Sequence, residues 1–455
     1  MEHFDLIVIG GGPAGYLGAQ RAAQGDMKTA LFEERALGGV CLNEGCIPSK
    51  TLLHSAKVLD YAMYGDKYGV SADNVTLDHG AVIQRKNKVV KQLVSGIEFT
   101  MKKCNVSIFD KRALIKGRSE NGFVVLADGI EYTARNLLIA TGSSPVLPPI
   151  QGLKKALESG FALTNREILD LQSLPESLVV IGGGIVGLEM ASYFNSAGVK
   201  VTVIEMLENI AGSVDVGISD ILMKNYKKKG VEFKLPCKVT GFGNNSVTFE
   251  EKGESKTIEA SKVLLSVGRK PNIKNIGLEN IGVYTEKGAV VTDDKMQTNI
   301  AGVYAAGDVN GKSMLAHTAY RESEVAVNNM LGKRDFMRYF AIPNVVYTNP
   351  EVACVGETKQ TAELKGFEVK TAETSMRMSG RYLAEVEGGN GIVKIVVNAK
   401  DNRLLGVHLI GSYASEMIFG AALMIEAGMT IEQIKELVFP HPTVCEVIRE
   451  AAFLL

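Results

Sequence analysis

Two cysteines separated by four residues, Cys41-Leu42-Asn43-Glu44-Gly45-Cys46, form the pair in this sequence best placed for redox chemistry. If the backbone loops through Gly45, the two thiols can close a small disulfide ring. Pro48 suits the first turn of a helix that Lys50 to Lys57 continues. Cys46 then stands at the helix start, where backbone N–H groups and the dipole favour a thiolate. Lys50, four residues on, adds positive charge close to the same face. Two blander uses stand beside this one. A zinc site would need two more convergent ligands, and the sequence has no second close Cys/His pair. The two residues can also be inert core thiols, the default for the scattered Cys104, Cys237, Cys354 and Cys445.

A second cluster is His441-Pro442-Thr443-Val444-Cys445-Glu446. Flanked by Pro440 and Pro442, His441 sits in a stiff stretch of backbone. Thr443 is placed to cap the following helix, and Glu446 to turn back, orient the imidazole and raise its basicity. A catalytic base and a structural histidine both fit this spacing.

Both clusters need a scaffold, and two glycine turns indicate which. Gly10, Gly12 and Gly15 lie between an apolar strand (residues 4–9) and an Ala-rich helical stretch from Tyr16 to Gln24. The next strand ends at Glu33. This grammar fits a dinucleotide: glycines for a tight turn and close approach, a helix start for the pyrophosphate, a carboxylate for a ribose hydroxyl. Gly182, Gly184 and Gly187 repeat it between strand 177–181 and a helix reaching Ser196, with Glu205 ending strand 200–204. Glu205 would repel a ribose phosphate, and Met206-Leu207-Glu208 offers no cation to receive one, so the second site prefers NAD over NADP.

Two such units imply two dinucleotide-binding domains in an α/β chain. Leu138 to Ser144 and Val263 to Arg269 read as strand–Gly exits from their sheets, each followed by proline. Residues 300–308 add a strand ending in a Gly-Asp turn. From about Pro343, alternating strands near 391–397 and 403–409 give way to helices near 413–427 and 443–453, an α+β pattern. The expected division is 1–145, 146–270, 271–342 and 343–455, in line with a 455-residue chain too long for one core. Fifty basic and fifty-one acidic side chains leave no global field for nucleic acid or anionic lipid. No apolar run reaches membrane-spanning length, and the N-terminus enters its first strand at once, so a cytoplasmic protein is expected.

The segment GGVCLNEGCIPSK (38–50) closely resembles the redox motif of the FAD-dependent pyridine-nucleotide disulfide oxidoreductases, class I, and in particular their dihydrolipoamide-oxidising branch. The resemblance continues through GGGPAG (10–15), ATG (140–142), GGGIVGLE (182–189), AAGD (305–308), LAHTA (315–319) and HPTVCE (441–446). It implies two Rossmann-like FAD/NAD-binding domains, a central domain completing the FAD site, and a C-terminal α+β dimerisation domain. It assigns the first glycine turn and Glu33 to FAD and the second, with Glu205, to NAD; Thr141, Gly142, Gly268 and Asp308 belong to the same cofactor-binding motifs. By the same resemblance Cys41 and Cys46 form a redox disulfide, Cys41 meeting the dithiol substrate and Cys46 lying against the flavin. Lys50 lies near the flavin and pairs with Glu189. His441, held by Glu446, is the base supplied to the other subunit of a homodimer, and the partner is a lipoyl-bearing protein of a 2-oxoacid dehydrogenase or glycine cleavage complex. No metal is implied. The chain departs from the branch at Phe439, where a histidine is usual, which leaves the base in place but puts local packing or partner contact in question. Ser49 and Glu205 disfavour glutathione-type reductases, the absence of a terminal Cys pair disfavours mercuric reductase, and two redox cysteines disfavour single-Cys NADH oxidases. A non-catalytic flavoprotein scaffold is the remaining alternative.

Overall fold

The computed structural model describes residues 1–455. They form two compact units, each assembled from separate stretches: 1–51, 81–146 and 268–338 in the first, 52–80, 147–267 and 339–455 in the second.

The first unit is built on the strand Glu2–Ile9, whose Phe4, Leu6, Ile7 and Val8 are fully buried. A continuous apolar run of this kind suits a parallel strand covered on both faces. It pairs in parallel with Thr29–Glu33 on one side and Ile130–Ile139 on the other, and Ser107–Asp110 extends the sheet beyond Thr29–Glu33. On the far side Val303–Ala305 joins in parallel, Val303 opposite Leu137 and Ala305 opposite Ile139. The strand read at 300–308 therefore completes this first sheet. An antiparallel hairpin, Leu114–Ser119 and Gly122–Ala127, pairs with the earlier half of Ile130–Ile139. The helix after the first strand runs Pro13–Gln24, three residues earlier than its Ala-rich pattern indicated. Proline at its first position needs no N–H partner there, which moves the start forward.

In the second unit five parallel strands run in the order Glu232–Lys234, Lys200–Ile204, Ser177–Ile181, Lys262–Leu265 and Ala162–Leu163. Helix Ile185–Ser196 connects the strands at 177–181 and 200–204, repeating the first unit's β-turn-α-β plan. Both sheets are Rossmann-like: parallel strands whose carboxyl ends carry a glycine turn into a helix. The C-terminal stretch forms a different layer, an antiparallel sheet ordered Asn344–Val346, Val352–Gly356, Leu404–Ile410, Ile392–Asn398 and Val369–Ser375. Val355, Val393, Ile395, Val407 and Leu409 are almost fully buried there, clustered with Ile418 and Ala421 of helix Ala414–Glu426 and Val447 and Ile448 of helix Glu446–Ala452. No helix is long and apolar enough to cross a membrane.

Candidate active site

The two glycine turns match position for position. Gly10 has φ +105°, and a Cβ there would lie 2.3 Å from the Ala140 carbonyl oxygen; Gly182 has φ +104°, with its Cβ 2.2 Å from that of Ser266. A side chain at Gly15 would strike the Gly10 carbonyl oxygen at 1.8 Å, and one at Gly187 would strike that of Gly182 at 2.3 Å. Gly12 and Gly184 differ: their Cβ positions are open or nearly so, and each precedes a helix with no side-chain cap. The first-turn N–H groups are thus left for an anion approaching closely over glycine, which is what a pyrophosphate requires. Both turns fit a dinucleotide.

Each turn also holds its carboxylate. Glu33 accepts from the Gly11 N–H at 2.7 Å and the Arg35 N–H at 2.8 Å. Glu205 accepts from the Gly183 N–H at 2.6 Å and the Leu207 N–H at 2.8 Å. Past Glu205, Met206 and Leu207 are 63% and 57% exposed and carry no charge. A ribose hydroxyl suits that surface better than a ribose phosphate does.

In the first unit the strand–Gly exits pair with one another, which separate stretches of sequence do not reveal. Ser143–Pro145 runs antiparallel to Arg269–Pro271. Thr141 Oγ1 donates to the Asn272 carbonyl at 2.7 Å, and the Asn272 N–H donates to the Gly142 carbonyl at 2.9 Å. Ser143 Oγ donates to Asp308 Oδ2 at 2.5 Å and receives Arg269 Nε at 2.7 Å. Thr141, Gly142, Gly268 and Asp308 are therefore gathered by Ser143, Arg269 and Asn272, three residues the sequence reading did not single out. Gly142 and Gly268 both have positive φ, +65° and +102°, where the chain turns out of each sheet.

The cysteine motif folds as two helices, Gly39–Glu44 and Cys46–Met63, separated only by Gly45. Asn43 Nδ2 ties the first of them back to the Leu37 and Gly39 carbonyls at 3.0 and 2.9 Å. Cys41 and Cys46 are present as a half-buried dithiol in hydrogen-bond contact. That hydrogen bond, followed by burial and the charge of Cys46, pushes the Cys41 thiol well above the ordinary range, with Lys50 opposing. The two sulfurs thus share one environment, with Lys50 as the nearby charge that favours a thiolate. Beside them Tyr16 and Tyr320 join hydroxyls at 2.5 Å, and both feel the charge of the two sulfurs. No sequence signal marked these tyrosines.

In the second unit His441 Nδ1 lies 2.9 Å from Glu446 Oε1. Glu446 Oε2 accepts the Thr443 N–H at 2.9 Å. That backbone bond first, and His441 second, hold the Glu446 carboxyl below the usual carboxylate range. Thr443 does not cap the helix. The helix begins at Glu446 after Cys445, without a side-chain cap, and the Thr443 hydroxyl donates backwards to the Pro440 carbonyl at 2.7 Å. The His441 side chain is 77% exposed, so with Nδ1 committed to Glu446, Nε2 faces outward. Phe439 packs against the C-terminal core. Glu189, nearly fully buried on helix Ile185–Ser196, accepts the Tyr347 N–H at 3.1 Å. Cys41 and Lys50 belong to the first unit, His441 and Glu189 to the second.

Comparison with known proteins agrees with this chemistry. Residues 4–323 match the family model described as pyridine nucleotide-disulphide oxidoreductase, and residues 342–452 match the dimerisation domain of that family. The chain is 37% identical to a dihydrolipoyl dehydrogenase of Chlorobaculum parvum, covering 99% of this chain and 96% of that protein. It is 38% identical to a dihydrolipoyl dehydrogenase of Geobacillus stearothermophilus, covering 98% and 95%. Among solved structures, the HOCl-induced flavoprotein disulfide reductase RclA of Escherichia coli, as its Cu(II) complex, superposes with a TM-score of 0.88 at 26% identity over 100% of both chains. LpdA of Mycobacterium tuberculosis, at 24% identity, shares the fold with a TM-score of 0.89, over 100% of this chain and 99% of that one.

Proposed function

This chain belongs to the pyridine nucleotide-disulphide oxidoreductases, and from that premise we propose that it oxidises protein-bound dihydrolipoamide to lipoamide while reducing NAD⁺. The observation that carries the proposal is the Cys41–Cys46 contact at the junction of two helices, with the charge of Lys50 acting on it. The chain binds FAD and NAD, and it is a homodimer through its C-terminal domain. The division at 145, 270 and 342 and a cytoplasmic location are parts of the same proposal.

His441 Nε2 takes the proton of one substrate thiol, and the resulting thiolate attacks Cys41 of the oxidised Cys41–Cys46 pair. The S–S bond breaks and its electron pair leaves on Cys46. The second substrate thiol then attacks the substrate sulfur of the mixed disulfide, closing the lipoamide ring and releasing Cys41, which takes that thiol's proton. At the end one proton is on His441, one on Cys41, and the negative charge on Cys46. FAD, when bound, supplies the two-electron acceptor that delivers the reducing equivalents to NAD⁺. Gly10, Gly12, Gly15, Glu33, Thr141, Gly142, Gly268 and Asp308 would hold it, Lys50 would supply positive charge near it, and Gly182, Gly184, Gly187 and Glu205 would hold NAD. Glu446 orients His441, which serves Cys41 of the partner subunit. The macromolecular partner is a lipoyl-bearing protein of a 2-oxoacid dehydrogenase or glycine cleavage complex. A dithiol and disulfide panel run with NAD⁺ and NADP⁺ tests the reading. Turnover of dihydrolipoamide with NAD⁺ supports it, and preference for glutathione disulfide with NADPH defeats it.

A further inference from the structure

Glu44 is an unexpected residue where it stands. It lies three positions after Cys41 on helix Gly39–Glu44, so the two share a face, and two positions before Cys46. It is 7% exposed. Reduction of the cysteine pair places a negative charge on this same short segment, and a buried carboxylate beside it would oppose that charge. Its partner is Arg35, whose Nη1 lies 2.5 Å from Glu44 Oε1. Arg35 is itself fixed from below, because its backbone N–H donates to Glu33, which in turn holds Gly11. A line of contacts thus runs from the first glycine turn through Glu33 and Arg35 to the segment between the cysteines. The groups whose charge acts directly on the dithiol are Lys50, which favours its charged form, and beside it the Tyr16–Tyr320 pair, whose hydroxyls remain protonated; Glu44 and Arg35 would act from the segment between the two cysteines.

We propose that Arg35 and Glu44 form a charge pair that sets how readily the Cys41–Cys46 couple accepts electrons and how readily Cys46 gives up its proton. The proposal rests on the dithiol reading above. As an intact pair the two charges nearly cancel at the sulfurs; removing either partner exposes the other. Arg35 and Glu44 are positioning residues for the electrostatics and touch no substrate.

The test reads Cys46 in a Cys41→Ser background, as the pH at which its long-wavelength thiolate–flavin absorbance is half developed. Glu44→Gln leaves the Arg35 cation, so the midpoint should fall; Arg35→Gln leaves the Glu44 anion, so it should rise. Each shift should be roughly half to one pH unit, the scale for one unbalanced charge near a protein surface. With both cysteines present, the dithiol–disulfide equilibrium against a glutathione buffer should move about threefold to tenfold, toward dithiol in Glu44→Gln and toward disulfide in Arg35→Gln. The double variant Arg35→Gln/Glu44→Gln and the charge-keeping Arg35→Lys should both return close to the starting values, a rescue that a purely structural bracket would not give. A titrating band whose midpoint moves the same way in both single variants, or fails to move in either one, overturns the charge-pair proposal and leaves the dithiol reading intact. No thiolate band in Cys41→Ser itself overturns the dithiol reading and the proposal with it.

Discussion

Glu446 grips His441 and its own loop with one carboxylate, Oε1 at 2.9 Å from the imidazole Nδ1 and Oε2 at 2.9 Å from the Thr443 N–H. The ring is thereby oriented by the backbone that carries it. His441→Gln should lower dithiol oxidation about 10²–10⁴-fold, the range for loss of a general base. NADH reduction of an artificial acceptor should largely survive, because it needs no thiol proton transfer. Equal loss of both activities would show that His441 is structural.

The pH dependence follows from Glu446. Its folded-state carboxyl is held below the usual range, so it stays ionised wherever an imidazole titrates and protonates only at still lower pH. The carboxylate should therefore add no proton of its own to the rate profile across the neutral range, and what it contributes is lost only as pH falls through its lowered folded value. Glu446→Gln should lose less rate than His441→Gln, because the imidazole remains. A wild-type acid limb that takes up two protons would mean that the carboxylate titrates within that range.

Gly10→Ala and Gly182→Ala should separate the two nucleotide sites. Each places a Cβ against a carbonyl oxygen at a φ that L-residues rarely adopt, at 2.3 and 2.2 Å. Strain of order 1–3 kcal/mol corresponds to roughly fivefold to 150-fold weaker binding. Gly10→Ala should be purified with depleted flavin. Gly182→Ala should retain flavin and show a raised KM for NAD⁺. Depletion of flavin in Gly182→Ala and not in Gly10→Ala would exchange the two assignments.

Replacing Glu205 with Ser and Leu207 with Arg should shift preference toward NADP⁺ by at least tenfold in kcat/KM, since repulsion is removed and a phosphate partner gained. Leu207 is exposed enough to present the guanidinium without a packing loss. Unchanged ratios would place the selecting contacts elsewhere.

What was legible in the sequence was local. The glycine turns with Glu33 and Glu205 were readable because turn, helix start and carboxylate fall within one β-turn-α-β stretch, where backbone sterics dictate residue type. The pairing of His441 with Glu446 was legible for the same reason, the two lying five residues apart where a loop enters a helix. The Ser143–Asp308 and Arg269–Ser143 bonds join residues more than a hundred positions apart and leave no local trace. Tyr16 and Tyr320 meet only because their helices pack. Threonine before a helix usually caps it, but Thr443 does not: Glu446 takes the Thr443 N–H and the hydroxyl is left for Pro440.

The most direct measurement of the central claim is NADH formation from dihydrolipoamide and NAD⁺ by the wild type, Cys41→Ser and Cys46→Ser, each carrying a full complement of flavin. NADH-driven reduction of an artificial acceptor confirms that each variant is folded. The wild type should turn over, and both variants should fall to background, because one thiol alone cannot form the reducible pair that Cys41 and Cys46 are positioned to make. Sustained dihydrolipoamide turnover in either single-thiol variant would contradict the dithiol relay.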